Sequence, residues 1–91
     1  MTGRKMYRYE VPIDDQAHIF ALTGGPVAVA ASSNEGPVEF WAEHDWRKEP
    51  GKPRAFQVFG TGHPLPESAR WAGTCQRTAS GLVWHLYEVT P

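Results

Sequence analysis

Gly60-Thr61-Gly62-His63-Pro64-Leu65-Pro66 is the stretch whose residue types and spacing suit chemistry. Gly60 and Gly62 admit positive φ and leave their backbone N–H groups uncovered by side chains. Successive uncovered N–H groups in a turn form a concave anion site. Thr61 adds a hydroxyl, and His63 adds a donor, or a titratable group. Pro64 and Pro66 bias the residues before them toward extended backbone, so the loop exit is stiff. The chemistry such a loop supports is the holding of a phosphate. The competing reading is a glycine corner where a strand ends and the chain changes direction. The motif is not a P-loop, because no Gly-Lys-Ser/Thr follows and no helix opens after it.

A phosphate needs counter-charge, which His63 with Arg54 or Arg70 would supply. Trp41, Trp71 and Tyr87 are the aromatics available to stack on a base. The candidate ligand-binding set is therefore Gly60, Thr61, Gly62, His63, Arg54, Arg70, Trp41, Trp71 and Tyr87. No catalytic residue is assigned: there is no Ser-His-Asp set, paired-carboxylate motif or nucleophile elbow. General-base chemistry by His63 alone is the enzymatic alternative. His85, flanked on its face by Val83 and Tyr87, reads as a core histidine satisfied by one hydrogen bond. Cys75 reads as mid-strand, buried and inert, with no neighbouring His or Lys to lower its pKa. His18, His44, His63, Cys75 and His85 show no metal-ligand spacing. His85 and Glu88, three apart on a strand, point to opposite faces and do not share an ion. Neither a metal nor a cofactor is implied.

The elements that must position these residues are short strands. Residues 6–11 alternate, with Tyr7, Tyr9 and Val11 on one face and Met6, Arg8 and Glu10 on the other. Residues 12–16 read as a turn. Residues 17–22 form a second strand, ended by Gly24-Gly25-Pro26. Residues 27–31 form a third, followed by a hairpin loop at 32–36. In 38–46, a strand puts Val38, Phe40, Ala42, His44 and Trp46 on one face and leaves Trp41 on an acidic face. Residues 47–53 are a charged loop. The strand 56–59 leads into the glycine motif. Residues 66–69 suit one helical turn with proline first. Residues 71–78 and 82–89 complete the set. The last strand is apolar on both faces, as expected of a central strand. The expectation is an all-β single domain, 1–91, built as a small antiparallel barrel or sandwich of about six to seven short strands.

Composition sets outer limits. A chain of 91 residues makes one domain. At this size about 60–65% of the unfolded surface is buried, so self-association is expected to add stability. With 12% aromatic residues, including four Trp, there is more aromatic area than a small core needs. Net charge is −1, from nine basic and ten acidic residues without a polybasic run, which argues against a nucleic-acid polymer as partner. A lone cysteine fits a reducing cytoplasm. The amino terminus lacks an apolar signal region, and no apolar run reaches membrane-spanning length.

Tyr7-x-Tyr9, the motif from Gly60 to Pro66, Gly73-Thr74, and Val83-Trp84-His85-Leu86-Tyr87-Glu88-Val89 together resemble a family of small uncharacterised proteins. These occur in bacteriophages, prophages and some bacteria, and form a domain of unknown function. The likeness runs over residues 6–89, and residues 47–53 carry no motif of it. The resemblance implies a phage-type accessory protein acting in a bacterial host cytoplasm. Joined to the loop chemistry, the expectation is a non-enzymatic, homo-oligomeric binding protein. Its ligand would be a small phosphorylated, nucleotide-derived signal of host defence. The alternative is a protein–protein interaction module that inhibits a host factor through its aromatics.

Overall fold

The computed structural model describes residues 3–31, 33 and 36–90. Its strands are β1 (Arg4–Val11), β2 (His18–Phe20), β3 (Pro26–Ala31), β4 (Val38–Asp45), β5 (Arg54–Gly60), β6 (Arg70–Thr74) and β7 (Trp84–Val89). All pairings are antiparallel. One sheet has the order β1-β4-β3 and the other β2-β5-β7-β6. The two sheets face each other without closing, so the architecture is a sandwich and the barrel alternative falls.

Alternation decides what each sheet turns inward. Val38, Phe40 and Ala42 of β4 are fully buried, as is Val11 of β1. Phe56, Val58 and Leu86 meet them from the second sheet. The sheets approach closely at β6, where a Cβ on Gly73 would fall on the Val29 side chain of β3. Only glycine leaves that space. β5 and β7 are interior strands of their sheet, as the two-sided apolar pattern of residues 82–89 predicts. The outer face of that sheet carries a second cluster of Ala55, Phe59 and Val89, with Ala69 and Tyr87 against it. Residues 61–69 therefore run back across this face after β5, and a Ser68–Thr90 hydroxyl contact of 3.1 Å secures their end.

Several boundaries differ from expectation. β2 is three residues long, because Ala17, Ala21 and Leu22 make no ladder. Residues 66–69 close a turn through Ala69 N–H donating to Pro66 O at 3.0 Å, without a helix. Cys75 lies just past β6, buried, with its N–H bonded to Trp84 O at 2.9 Å. Burial pushes its thiol up to about 11, so it is not a nucleophile at neutral pH. Leu82 and Val83 precede β7, and the loop expected at 32–36 lies largely outside the described residues. Among the described residues no helix is long and apolar enough to cross a membrane.

Asp45 ends β4 and locks the next turn. Its Oδ1 accepts from the Arg47 N–H and Nε, both at 3.0 Å, and its Oδ2 accepts from the other guanidinium nitrogen at 3.1 Å. These bonds hold its carboxyl at about 2, against an ordinary 3.8. A depressed folded-state pKa contributes stability that is complete above 3.8 and disappears as pH falls toward 2. Asp45→Asn is accordingly expected to lower the melting temperature at pH 6 and to flatten its dependence on pH between about 4 and 2. Parallel acid profiles for variant and wild type would contradict this.

Candidate functional site

The glycine motif begins where β5 ends. His63 N–H donates to Gly60 O at 3.1 Å, closing a four-residue turn. Gly62 has φ +88°, as the third position of a type II turn requires, and a Cβ there would meet nothing within 4 Å. Gly60 is not in the left-handed region. A Cβ there would come 2.9 Å from the exposed His63 ring, so a substitution would push the imidazole off its place. That ring folds back so that Nδ1 accepts the Gly60 N–H at 3.2 Å. The His63 proton therefore belongs on Nε2, which is left as a donor. One amide of the expected nest is taken by the imidazole, and the turn's further donors are the amides of Thr61 and Gly62.

A line of hydrogen bonds runs from this turn across the outer face of the second sheet. The Thr61 hydroxyl lies 2.8 Å from His85 Nε2, and His85 Nδ1 lies 3.0 Å from the Thr74 hydroxyl. Thr74 Oγ1 also accepts the Trp71 indole N–H at 2.9 Å. Trp71 can only donate, so Thr74 is free to donate to His85 Nδ1. In that arrangement His85 Nε2–H donates to Thr61, and the Thr61 hydroxyl proton is left for a ligand. His85 is thus no core histidine with a single bond. It stands on the outer face, half-buried, with both ring nitrogens engaged. Tyr87 shares that face, lies opposite Trp71 in register and packs edge-on to Phe59 with centroids 5.6 Å apart.

Two depressions flank the turn. The smaller, about 150 Å³, is lined by Phe59, the residues from Gly60 to His63, Leu65, His85 and Tyr87. The larger, about 330 Å³, shares Gly60, Thr61 and His63 and is completed by Arg77, Gly81, Leu82, Val83 and Trp84. Arg77 is exposed and has no ion pair among the described residues. The Trp84 indole N–H is buried without a hydrogen-bond partner among them.

The structure brings Gly60, Thr61, Gly62, His63 and Tyr87 to one place, and ties Trp71 to it through Thr74 and His85. The other candidates stand apart. Arg54 grips Glu88 with two bonds of 2.8 and 2.9 Å, and Arg70 approaches the same carboxylate at 3.5 Å. By strand alternation all three lie on the inward side of the second sheet, at its margin near Gly25. The Arg54 guanidinium holds the Glu88 carboxyl below its usual range, so this pair is already spent on itself. Trp41 lies on the outer face of the first sheet, between Arg8 and Ala28 in register. The cation that lines a depression with the turn is Arg77, and neither Arg54 nor Arg70 does so.

The remaining histidines are engaged elsewhere. His18 contacts both Asp14 oxygens at 2.9 and 3.0 Å, and His44 packs on Trp46 with centroids 4.7 Å apart. Among the described residues no three of His, Cys, Asp and Glu gather around a common point. Neither the curated proteins nor the solved structures contain a match to this chain. A family model described as a domain of unknown function (DUF7352) matches residues 2–91, and the chain belongs to that family.

Proposed function

We propose that this chain is a non-enzymatic binding protein that holds a small phosphorylated ligand at the 60–63 turn. The observation that carries the reading is Arg77, an exposed cation without an ion pair among the described residues, lining the same depression as Gly60, Thr61 and His63. On a chain of net charge −1, an exposed arginine beside loop amides and an imidazole is local complementarity for an anion. At about 330 Å³ the depression suits a mononucleotide-sized ligand more than a large cofactor. The likeness to phage and prophage proteins supports a narrower version, in which the ligand is a nucleotide-derived signal of host defence that the protein sequesters in the bacterial cytoplasm. Mass spectrometry of small molecules retained by the purified protein tests the proposal. A phosphorylated compound recovered from wild type and missing from Gly62→Val supports it; equal recovery from both contradicts it.

A second reading rests on Trp71, which is 64% exposed although its indole N–H is fixed by Thr74. A rigid exposed tryptophan beside Tyr87 is the kind of anchor that protein interfaces use. Under that reading Trp71→Ala abolishes capture of a host protein, and no phosphorylated compound is recovered from wild type.

A further inference from the structure

We infer that the open edge of β3 is a base-reading site, in which the Val29 C=O and the Ala31 N–H take the amino and ring-nitrogen edge of adenine or cytosine. The inference deepens the phosphate reading and rests on it for where the phosphate lies. β3 is an outer strand of its sheet, and a depression of about 590 Å³ runs beside it. Val29, Ala30 and Ala31 line one side, and the segment from Gln76 to Ala79 lines the other. Successive side chains of a strand point to opposite faces. Three consecutive residues share one depression because it lies along the strand's edge, where it meets their backbone.

The ladder phase shows which backbone groups that edge offers. Trp46 N–H donates to Gly3 O at 2.8 Å, opposite it in register, so even-numbered residues of β4 bond toward β1 and odd-numbered ones toward β3. Ala28 lies opposite Trp41 and Ala30 opposite Glu39, so these two close the ladder. Val29 and Ala31 turn their N–H and C=O groups the other way, and no hydrogen bond takes them among the described residues. The regular edge is too short to add a peptide strand, since Pro26 has no N–H and the register shifts before Ala28. What remains is one C=O and, two residues on, one N–H pointing the same way. That pair complements a base with an amino group beside an unprotonated ring nitrogen. Adenine and cytosine carry this edge. Guanine, hypoxanthine and uracil carry the reverse, a carbonyl oxygen beside a ring N–H, which sets acceptor against acceptor and donor against donor.

Arg77 gives the ligand its direction. It lines this depression and also the one of about 330 Å³ shared by Gly60, Thr61 and His63. A phosphate on Arg77 and the turn amides leaves the base on the far side of that residue, beside Val29 and Ala31. Trp41 and Trp71 line neither depression, so hydrogen bonds at the β3 edge select the base without stacking on those two rings.

Titration calorimetry with AMP and IMP tests this, because the two differ only at the base edge. AMP is expected to bind at least about 30-fold tighter, since IMP leaves both edge groups facing their own kind. CMP is expected to bind and UMP is not. In isotope-labelled wild type, AMP is expected to shift the Ala31 amide resonance together with those of Thr61 and Gly62. Ala31→Pro removes an N–H that faces the open edge and none that bonds to β4, so the preference for AMP over IMP is expected to disappear. If this variant fails to fold by circular dichroism, the Ala31 shift in wild type decides. Equal affinity for AMP and IMP, or an Ala31 amide unmoved by AMP, would overturn the base site, and the phosphate reading stands if the turn amides still respond. Adenosine binding more tightly than inosine, with the Thr61 and Gly62 amides unmoved, would uphold the base site and contradict the phosphate reading. Binding by none of these nucleosides and nucleotides would overturn the base site outright.

Discussion

Phe40→Ala is expected to cost about 3–5 kcal/mol of stability, a large fraction of what a chain this size holds. Phe40 is fully buried in β4, the middle strand of its sheet. Its ring stacks on Tyr9 at 4.9 Å and 14°, meets Phe20 edge-on at 5.3 Å and 87°, and touches Phe56 at 5.2 Å. Tyr9 belongs to its own sheet, whereas Phe20 and Phe56 belong to the other, so this one ring carries much of the contact between layers. Truncation leaves a cavity bounded by strands that cannot all close in. Phe40→Leu keeps most of the volume and is expected to cost less than about 1.5 kcal/mol. Urea unfolding of both variants checks the pair; a loss below about 1 kcal/mol for alanine would mean that the sheets are not joined here.

Gly62→Val is expected to abolish ligand binding while leaving the sandwich folded. At φ +88° a β-branched side chain is strained by about 1–3 kcal/mol, whatever the surrounding space. The turn would relieve the strain by flattening, which withdraws its amides and swings His63 off Gly60. The site is exposed and no core contact depends on it, so the melting temperature is expected to fall modestly. Binding is expected to drop beyond about 100-fold, because amides, imidazole and Thr61 are displaced together. Gly62→Val that binds like wild type would place the pocket elsewhere in the chain.

The sandwich was legible where a strand buries one face. Val38, Phe40 and Ala42 alternate with Glu39, Trp41 and Glu43, and the burial follows that order. Interior placement of β7 was legible for the same reason, since Leu86 and Val89 both need cover. Strand order was not legible, and the site depends on it. His85 reaches Thr61 and Thr74 because β7 lies between β5 and β6, and no local pattern encodes that order. The available signal was parity: His85 and Tyr87 alternate against Trp84 and Leu86, which the core claims first. For Arg54 and Arg70 the missed clue was Glu88, a carboxylate in the middle of an apolar strand that had to find a cation. Arg77 had no signal at all, because only the turn between β6 and β7 carries it to the glycine motif.

Isothermal titration of inorganic phosphate and a panel of mono-, di- and cyclic nucleotides tests the 60–63 turn most directly. Wild type, His63→Ala, Arg77→Ala and Arg54→Ala are titrated side by side, each first shown to be folded by thermal melt. At least one phosphorylated compound is expected to bind wild type. Arg77→Ala is expected to weaken it about 10- to 150-fold, as loss of a charged hydrogen bond does, with a smaller loss for His63→Ala and none for Arg54→Ala. Silence of the whole panel against wild type, or equal affinity for wild type, His63→Ala and Arg77→Ala, would contradict a phosphate site at this turn.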